Sequence, residues 1–151
     1  MDLRFSVWAI VAAPPHEVYE AVADPDKLSR YFTTGGAQGR LETGATVTWD
    51  FADFPGAFPV EVAEAVPDRR IVLRWAANEE GGPAGYQTEV EFAFEQAEEG
   101  RTKVTVSEGG WRDTPGGLKA SYGNCTGWSQ MLCALKCWVE RGFNLREGMY
   151  T

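Results

Sequence analysis

The sequence predicts an α+β fold: a curved antiparallel sheet of about six to seven strands wrapped around one long C-terminal helix, with two short helices after the first strand. Three observations predict it. Apolar residues alternate with polar ones through most of residues 35–111; they then recur at helical spacing from Trp128 onward; and two proline-led segments interrupt the chain just after its first apolar run.

Residues 3–13 are rich in β-branched and aromatic side chains and read as a strand. Pro14-Pro15 ends it and suits the opening of a helix, because proline has no N–H to lose in a first turn. Glu17 follows at the positive end of the helix dipole, and Val18 and Val22, four apart, mark its buried face. Asp24-Pro25-Asp26 repeats the signal, with Asp24 as N-cap, and predicts a second short helix through Phe32. Further on, Val47, Trp49 and Phe51 alternate with Thr46, Thr48 and Asp50, Val90, Phe92 and Phe94 with Glu89, Glu91 and Glu95, and Val104 and Val106 with Lys103 and Thr105. Alternation of this kind gives a strand one buried and one wet face. Residues 60–66 and 71–75 fit as shorter strands, and Phe54-Pro55-Gly56, Val66-Pro67-Asp68, Gly81-Gly82-Pro83 and Glu99-Gly100 punctuate them as turns. Closely spaced strands joined this way pair as antiparallel hairpins. Trp128, Leu132, Leu135 and Val139 share one helical face, which predicts a helix beginning between Lys119 and Thr126 and ending near Gly142.

At 151 residues the chain has the length of one domain, residues 1–151. Its formal net charge of −8 argues against nucleic acid or an anionic membrane surface as partner. No run approaches the roughly 20 apolar residues that a membrane helix needs. The N-terminus lacks a basic stretch followed by an apolar one. Cys125, Cys133 and Cys137 are odd in number, and in the absence of an export signal they are expected to be reduced thiols in a cytoplasm. On the same ground the sequon Asn124-Cys125-Thr126 carries no meaning. Six Trp, eight Phe and five Tyr are more than an ordinary core of this size needs, so they suit either a β-rich core or an aromatic-lined pocket.

Five segments, in order, resemble a known family. Ala13-Pro14-Pro15-His16-Glu17-Val18-Tyr19 is similar to an Ala-Pro-x-Glu-x-Val-aromatic opening, and Asp26-Lys27-Leu28-Ser29-Arg30-Tyr31-Phe32 to a second helix ending in an aromatic pair. Pro67-Asp68-Arg69-Arg70-Ile71-Val72-Leu73-Arg74-Trp75 is similar to a Pro-x-Arg-x-aliphatic run closing on Trp. The run from Thr102 to Gly110 resembles the final strand, and Gly127-Trp128 with Leu132 and Leu135 the terminal helix. The family is the START-like (SRPBCC) superfamily, in the branch named after the C-terminal domain of the activator of heat-shock protein 90 ATPase. The resemblance implies a helix-grip fold with an apolar cavity between sheet and helix. Members bind lipids, polyketides or hormones, some are cyclases or aromatases, and the name-giving branch stimulates a chaperone. The glycines Gly35, Gly36 and Gly39 depart from the usual polar connection at that cavity edge.

Alternation aims Trp49, Phe51, Trp75, Phe92 and Phe94 at the concave face, opposite Trp128 and Leu132, where they form a candidate ligand-binding set or simply a packed core. Glu108 shares parity with Val104 and Val106, so it can point inward beside Trp111 and act as an acid or orient a ligand. The plainer expectation is that the Gly109-Gly110 irregularity turns it to solvent. His16 is the only histidine, which leaves no His-based triad or multi-histidine metal site, and it reads as an exposed first-turn residue. Cys133 and Cys137 share the wetter side of the last helix, without further ligands at metal spacing. Gly35 to Gly39 lacks the Lys-Ser/Thr ending of a phosphate loop. Glu89, Glu91 and Glu95 form an acidic outer stripe facing Arg70 and Arg74. Residues 78–85 and 113–117 read as loops bordering one mouth of the cavity.

Three functions fit. The first is binding of a small hydrophobic or aromatic molecule between sheet and helix, with no metal or other cofactor. The second is docking on a protein partner, as an accessory to a chaperone, through an apolar patch around Trp138 and Met131; the chain would then act as monomer or homodimer. The third is a cyclase or hydrolase using Glu108 and pocket water, which ranks last because no nucleophile–base pair can be read off.

Overall fold

The computed structural model describes residues 1–52, 54–80 and 85–150, with the backbone alone at residues 54 and 55. Seven strands form one antiparallel sheet in the order β1-β7-β6-β5-β4-β3-β2. They are β1 (Leu3–Val11), β2 (Gly36–Gln38), β3 (Thr46–Phe51), β4 (Phe54–Val66), β5 (Arg70–Ala76), β6 (Gln87–Gln96) and β7 (Thr102–Trp111). Two short helices, α1 (Pro15–Ala23) and α2 (Pro25–Leu28), follow β1, and α3 (Pro115–Arg141) lies on one face of the sheet. The fold is the helix-grip arrangement that the sequence predicts.

The elements form for the reasons the sequence gives, with three corrections. Pro15 opens α1, which buries Val18 and Val22 completely. The Asp24 carboxylate accepts the N–H of Asp26 at 2.9 Å and caps α2. Helix α2 closes at Leu28, however, and residues 29–32 continue as turns, with the Phe32 N–H still reaching the Leu28 carbonyl at 2.9 Å. Strand β4 starts at Phe54 rather than at residue 60, so Phe54-Pro55-Gly56 opens a strand instead of making a separate turn. Helix α3 starts at Pro115, well before Lys119. The Thr114 hydroxyl accepts the Gly117 N–H at 3.0 Å as N-cap, so residues 115–117 form a first helical turn and not a loop. Only glycine fits at position 117, because a Cβ there would stand 2.0 Å from the Arg112 carbonyl oxygen. The turn expected at residues 81–83 lies outside the described residues.

The outer face carries the expected ion pairs: Arg70 to Glu91 at 3.0 Å and Arg74 to Glu89 at 3.1 Å. The inner face meets α3 in one core that holds Val47, Trp49, Val60, Ile71, Leu73, Val90, Phe92, Val104 and Val106 against Trp128, Met131, Leu132 and Leu135. Both ends of α3 are tied down by carboxylates. At its start Glu79 accepts the Thr114 and Tyr86 hydroxyls, and these bonds hold its carboxyl below the usual range. At its end Glu140 accepts from Lys136 at 2.6 Å and from the Ala12 N–H at 2.9 Å, which lowers its carboxyl likewise.

Sheet pairing is interrupted between β4 and β5. Strands β4 and β5 pair from Val66↔Arg70 to Glu61↔Arg74 and then part. Strand β4 goes on with β3 through Trp49↔Phe58, while β5 goes on with β6 through Trp75↔Thr88 and Ala76↔Gln87. Pro59, with no N–H to give to a ladder, lies on the β4 side of this divergence.

Candidate ligand-binding site

The two diverging hairpins leave a cleft of about 510 Å³. Strand β4 contributes Gly56, Phe58, Pro59 and Glu61, β5 and the residues just after it contribute Trp75, Ala76 and Asn78, the approach to β6 and its first residue add Gly85, Tyr86 and Gln87, and α3 closes it with Asn124. A second cleft of about 200 Å³ lies on the other side of Trp75 and Asn124, which border both. Its remaining walls are Phe32, Phe51, Gly123, Gly127, Trp128 and Arg146. Gly123 and Gly127 are one helical turn apart, and a Cβ on either would meet no atom within 4 Å. Bare helix backbone therefore forms that wall.

Rings make up the partition between the clefts. Trp75 lies 5.5 Å from Trp128, 5.9 Å edge-on to Trp49 and 5.8 Å from Phe58. Phe32 bridges Trp49, Phe51 and Trp128 at centroid distances of 5.7, 5.0 and 5.5 Å. The Arg146 guanidinium stacks over Phe32 and Phe51, 5.6 Å from each, and over Tyr150 at 5.3 Å.

Behind this partition stands Glu108. It is 2 % exposed, so the expectation that it turns to solvent is wrong. The irregularity at Gly109-Gly110 exists but acts after Glu108. Phe5 pairs with Glu108 and Leu3 with Trp111, so the extra residue, Gly110 at φ +107°, is absorbed as a bulge. That bulge brings Trp111 to the same face as Glu108. Four side chains donate to the carboxylate: Trp75 Nε1 at 2.9 Å and Thr88 Oγ1 at 2.6 Å to Oε2, Trp128 Nε1 at 2.8 Å to Oε1, and Asn124 Nδ2 to both oxygens at 3.0 and 3.1 Å. Indole and amide N–H groups only donate, so the set matches the acceptor-only form of a carboxylate.

The candidate residues thus divide. Trp75 borders both clefts, and Phe51 and Trp128 border the smaller one, with Glu108 directly behind them. Trp49, Phe92, Phe94 and Leu132 are buried in the core and border neither cleft. Trp111 belongs to a separate cluster with Leu3 and Ala77, stacked 5.7 Å from Phe5. Phe58, Tyr86, Asn124 and Thr88 join the site without a signal in the sequence reading above. Asn78 and Gly85 do border the larger cleft, whereas residues 113–117 do not. Of the apolar patch expected around Trp138 and Met131, Met131 is fully buried, whereas Trp138 is half-buried and stacks on Tyr31 at 5.6 Å. His16 is exposed and bonded to Asp68 at 2.9 Å. Cys133 is exposed, and the three cysteines are free. Among the described residues no helix is long and apolar enough to cross a membrane.

Known structures share this architecture. DynU16, a protein of the dynemicin biosynthetic locus, is 27% identical with a TM-score of 0.77 over 94% of this chain, and the chain spans about half of it, 49%. The protein SSP2350 from Staphylococcus saprophyticus is 25% identical with a TM-score of 0.75, covering 97% of this chain and 96% of its own. The Aha1 dimer from Colwellia psychrerythraea, at 24% identity and a TM-score of 0.74 over 92% of this chain and 97% of its own, is alike in fold. No curated protein matches the chain. The family described as "Activator of Hsp90 ATPase homolog 1-like protein" matches residues 12–140. With the element order and the sheet already in place, the chain belongs to this Aha1-like branch of the START-like superfamily.

Proposed function

We propose that the protein binds a small hydrophobic or aromatic molecule in the cleft between the β3–β4 hairpin, the β5–β6 hairpin and α3. The observation that carries this reading is the parting of β4 from β5, which exposes Trp75, Phe58 and Tyr86 on the walls of a cleft of about 510 Å³. A space of this size suits a drug-sized ligand. Burying about 150 Å² of its apolar surface stabilises the complex by roughly 4 kcal/mol before entropic costs. Likeness to DynU16, a protein of the dynemicin biosynthetic locus, supports a ligand of small-molecule biosynthesis.

In this reading Trp75 is the principal contact, Phe51 and Trp128 line the inner extension, and Glu108 fixes the orientation of Trp75, Asn124 and Trp128 through its hydrogen bonds. Either a monomer or a homodimer is compatible with this site. The protein works in this scheme as a cytoplasmic binding protein, with no chemistry assigned to Glu108. Docking on a chaperone is the weaker reading, since Met131 is buried and only the half-buried Trp138 remains of the surface expected for it.

A Trp-fluorescence titration against flavonoids, polyketide-like aromatics, sterols and fatty acids tests the proposal. Saturable quenching is expected for at least one class, and Trp75→Phe should diminish it. Flat traces across all classes would contradict it.

A further inference from the structure

The polar chemistry of the larger cleft is one-sided. Its lining includes Glu61, Asn78, Gln87 and Asn124 but no Lys, Arg or His. The residues outside the described set, Asp53, Gly81 to Ala84 and Thr151, are not basic either. Glu108 stands behind Trp75 and Asn124, and among the described residues it belongs to no ion pair. Its four donors are all neutral groups. Hydrogen bonds satisfy the lone pairs of such a carboxylate, but no cation among the described residues stands within ion-pairing distance of it, and a cation brought beside it is attracted more strongly than in water.

Access to that charge is guarded by side chains that can yield. Trp128 and Thr88 are buried, whereas Trp75 and Asn124 are half-buried and are the two residues common to both clefts. A ligand donor that replaces the Asn124 amide reaches Glu108 from the cleft. The rings of Trp75 and Phe58 beside it suit a cation as well as an apolar ring. Two basic groups stand nearby but outside the larger cleft's lining: Arg112 lies over the Tyr86 ring at 4.7 Å, and Arg146 borders the smaller cleft, stacked over Phe32, Phe51 and Tyr150.

We infer that the larger cleft selects amines: aromatic or alkyl molecules whose ammonium group pairs with Glu108 in place of Asn124, while the matching carboxylic acids are repelled by Glu108 and Glu61. This rests on the cleft being the ligand site, and the test separates the two claims. The full chain is titrated by calorimetry at neutral pH with naphthylmethylamine, naphthylmethanol and naphthoate, which share one ring system and differ in charge. The amine is expected to bind about tenfold tighter than the alcohol, the increment of one charged hydrogen bond, and the acid more weakly than the alcohol. Glu108→Gln should bring the amine down to the alcohol. Asn124→Ala, at a half-buried helix position where alanine is well tolerated, should tighten the amine more than the alcohol and leave the acid no tighter, a pattern that general damage to the fold does not produce. Equal affinities for all three probes would overturn the amine selectivity and leave the cleft standing. Selectivity that survives Glu108→Gln but disappears in Glu61→Gln would assign it to the rim and also overturn the inference. Failure of every probe to bind would overturn the amine selectivity, whereas the cleft reading falls only if the fluorescence panel is flat as well.

Discussion

Glu108 is held from three elements at once, by Trp75 on β5, Thr88 on β6, and Asn124 and Trp128 on α3. A neutral amide cannot replace it without conflict, because one of its two terminal atoms donates where the carboxylate accepts. In Glu108→Gln at least one indole or amide N–H loses its acceptor in a buried place, and the expected cost is about 2–3 kcal/mol, measured by urea denaturation of the variant against the parent. Unchanged stability would mean that these bonds are not formed in solution. Half of this arrangement was legible in the sequence. Parity with Val104 and Val106 aims Glu108 inward, but the adjacent Gly109-Gly110 signals a bulge without saying on which side of Glu108 it acts. Thr88 was within reach, since extending the alternation of Val90 and Phe92 by one step puts it on the inner face. Asn124 reads in the sequence as an incidental sequon, although it lies four residues before Trp128 and therefore on the same helical side.

Helix α3 carries a compromise between stability and space. Gly123 and Gly127 sit within a helix of 27 residues, where each costs about 1 kcal/mol relative to alanine, yet they wall the smaller cleft. The room around them is open, so Gly123→Ala and Gly127→Ala are each expected to stabilise the fold by up to about 1 kcal/mol in thermal unfolding while weakening ligand binding. Substitutions that stabilise without any loss of affinity would place the ligand away from that wall. The sequence predicts the apolar stripe of α3 from Trp128 onward but not its start. Pro115-Gly116-Gly117 has the composition of a loop, and it is helical because Thr114 caps it, Glu79 holds Thr114, and the Arg112 carbonyl leaves room for nothing larger than Gly117. Those are tertiary contacts, which local composition does not contain.

For the molecule as a whole, strand content, strand order by hairpins and the helix-bearing face follow from alternation and turn residues. The cleft does not. It arises where β4 leaves β5 for β3 alone, and the sequence marks this only by Pro55, Gly56 and Pro59 within β4, which read as a turn and a strand start. Aromatic composition was informative yet ambiguous for the same reason: Trp49, Phe92 and Phe94 fill the core, whereas Phe58 and Trp75 border the cleft, and all five face inward by parity. The six tryptophans offer a direct test, because their indole N–H groups report from distinct places. Trp75 and Trp128 stand at the clefts, Trp8 is exposed on β1, Trp111 lies in the separate cluster, and Trp138 is stacked on Tyr31. The most direct measurement is a proton–nitrogen correlation spectrum of the indole region during titration with a ligand that quenches fluorescence. A ligand seated in the cleft shifts the Trp75 and Trp128 resonances progressively and leaves Trp8, Trp111 and Trp138 in place. Shifts confined to Trp8 or Trp138, with Trp75 unmoved, would contradict a binding site between the hairpins and α3.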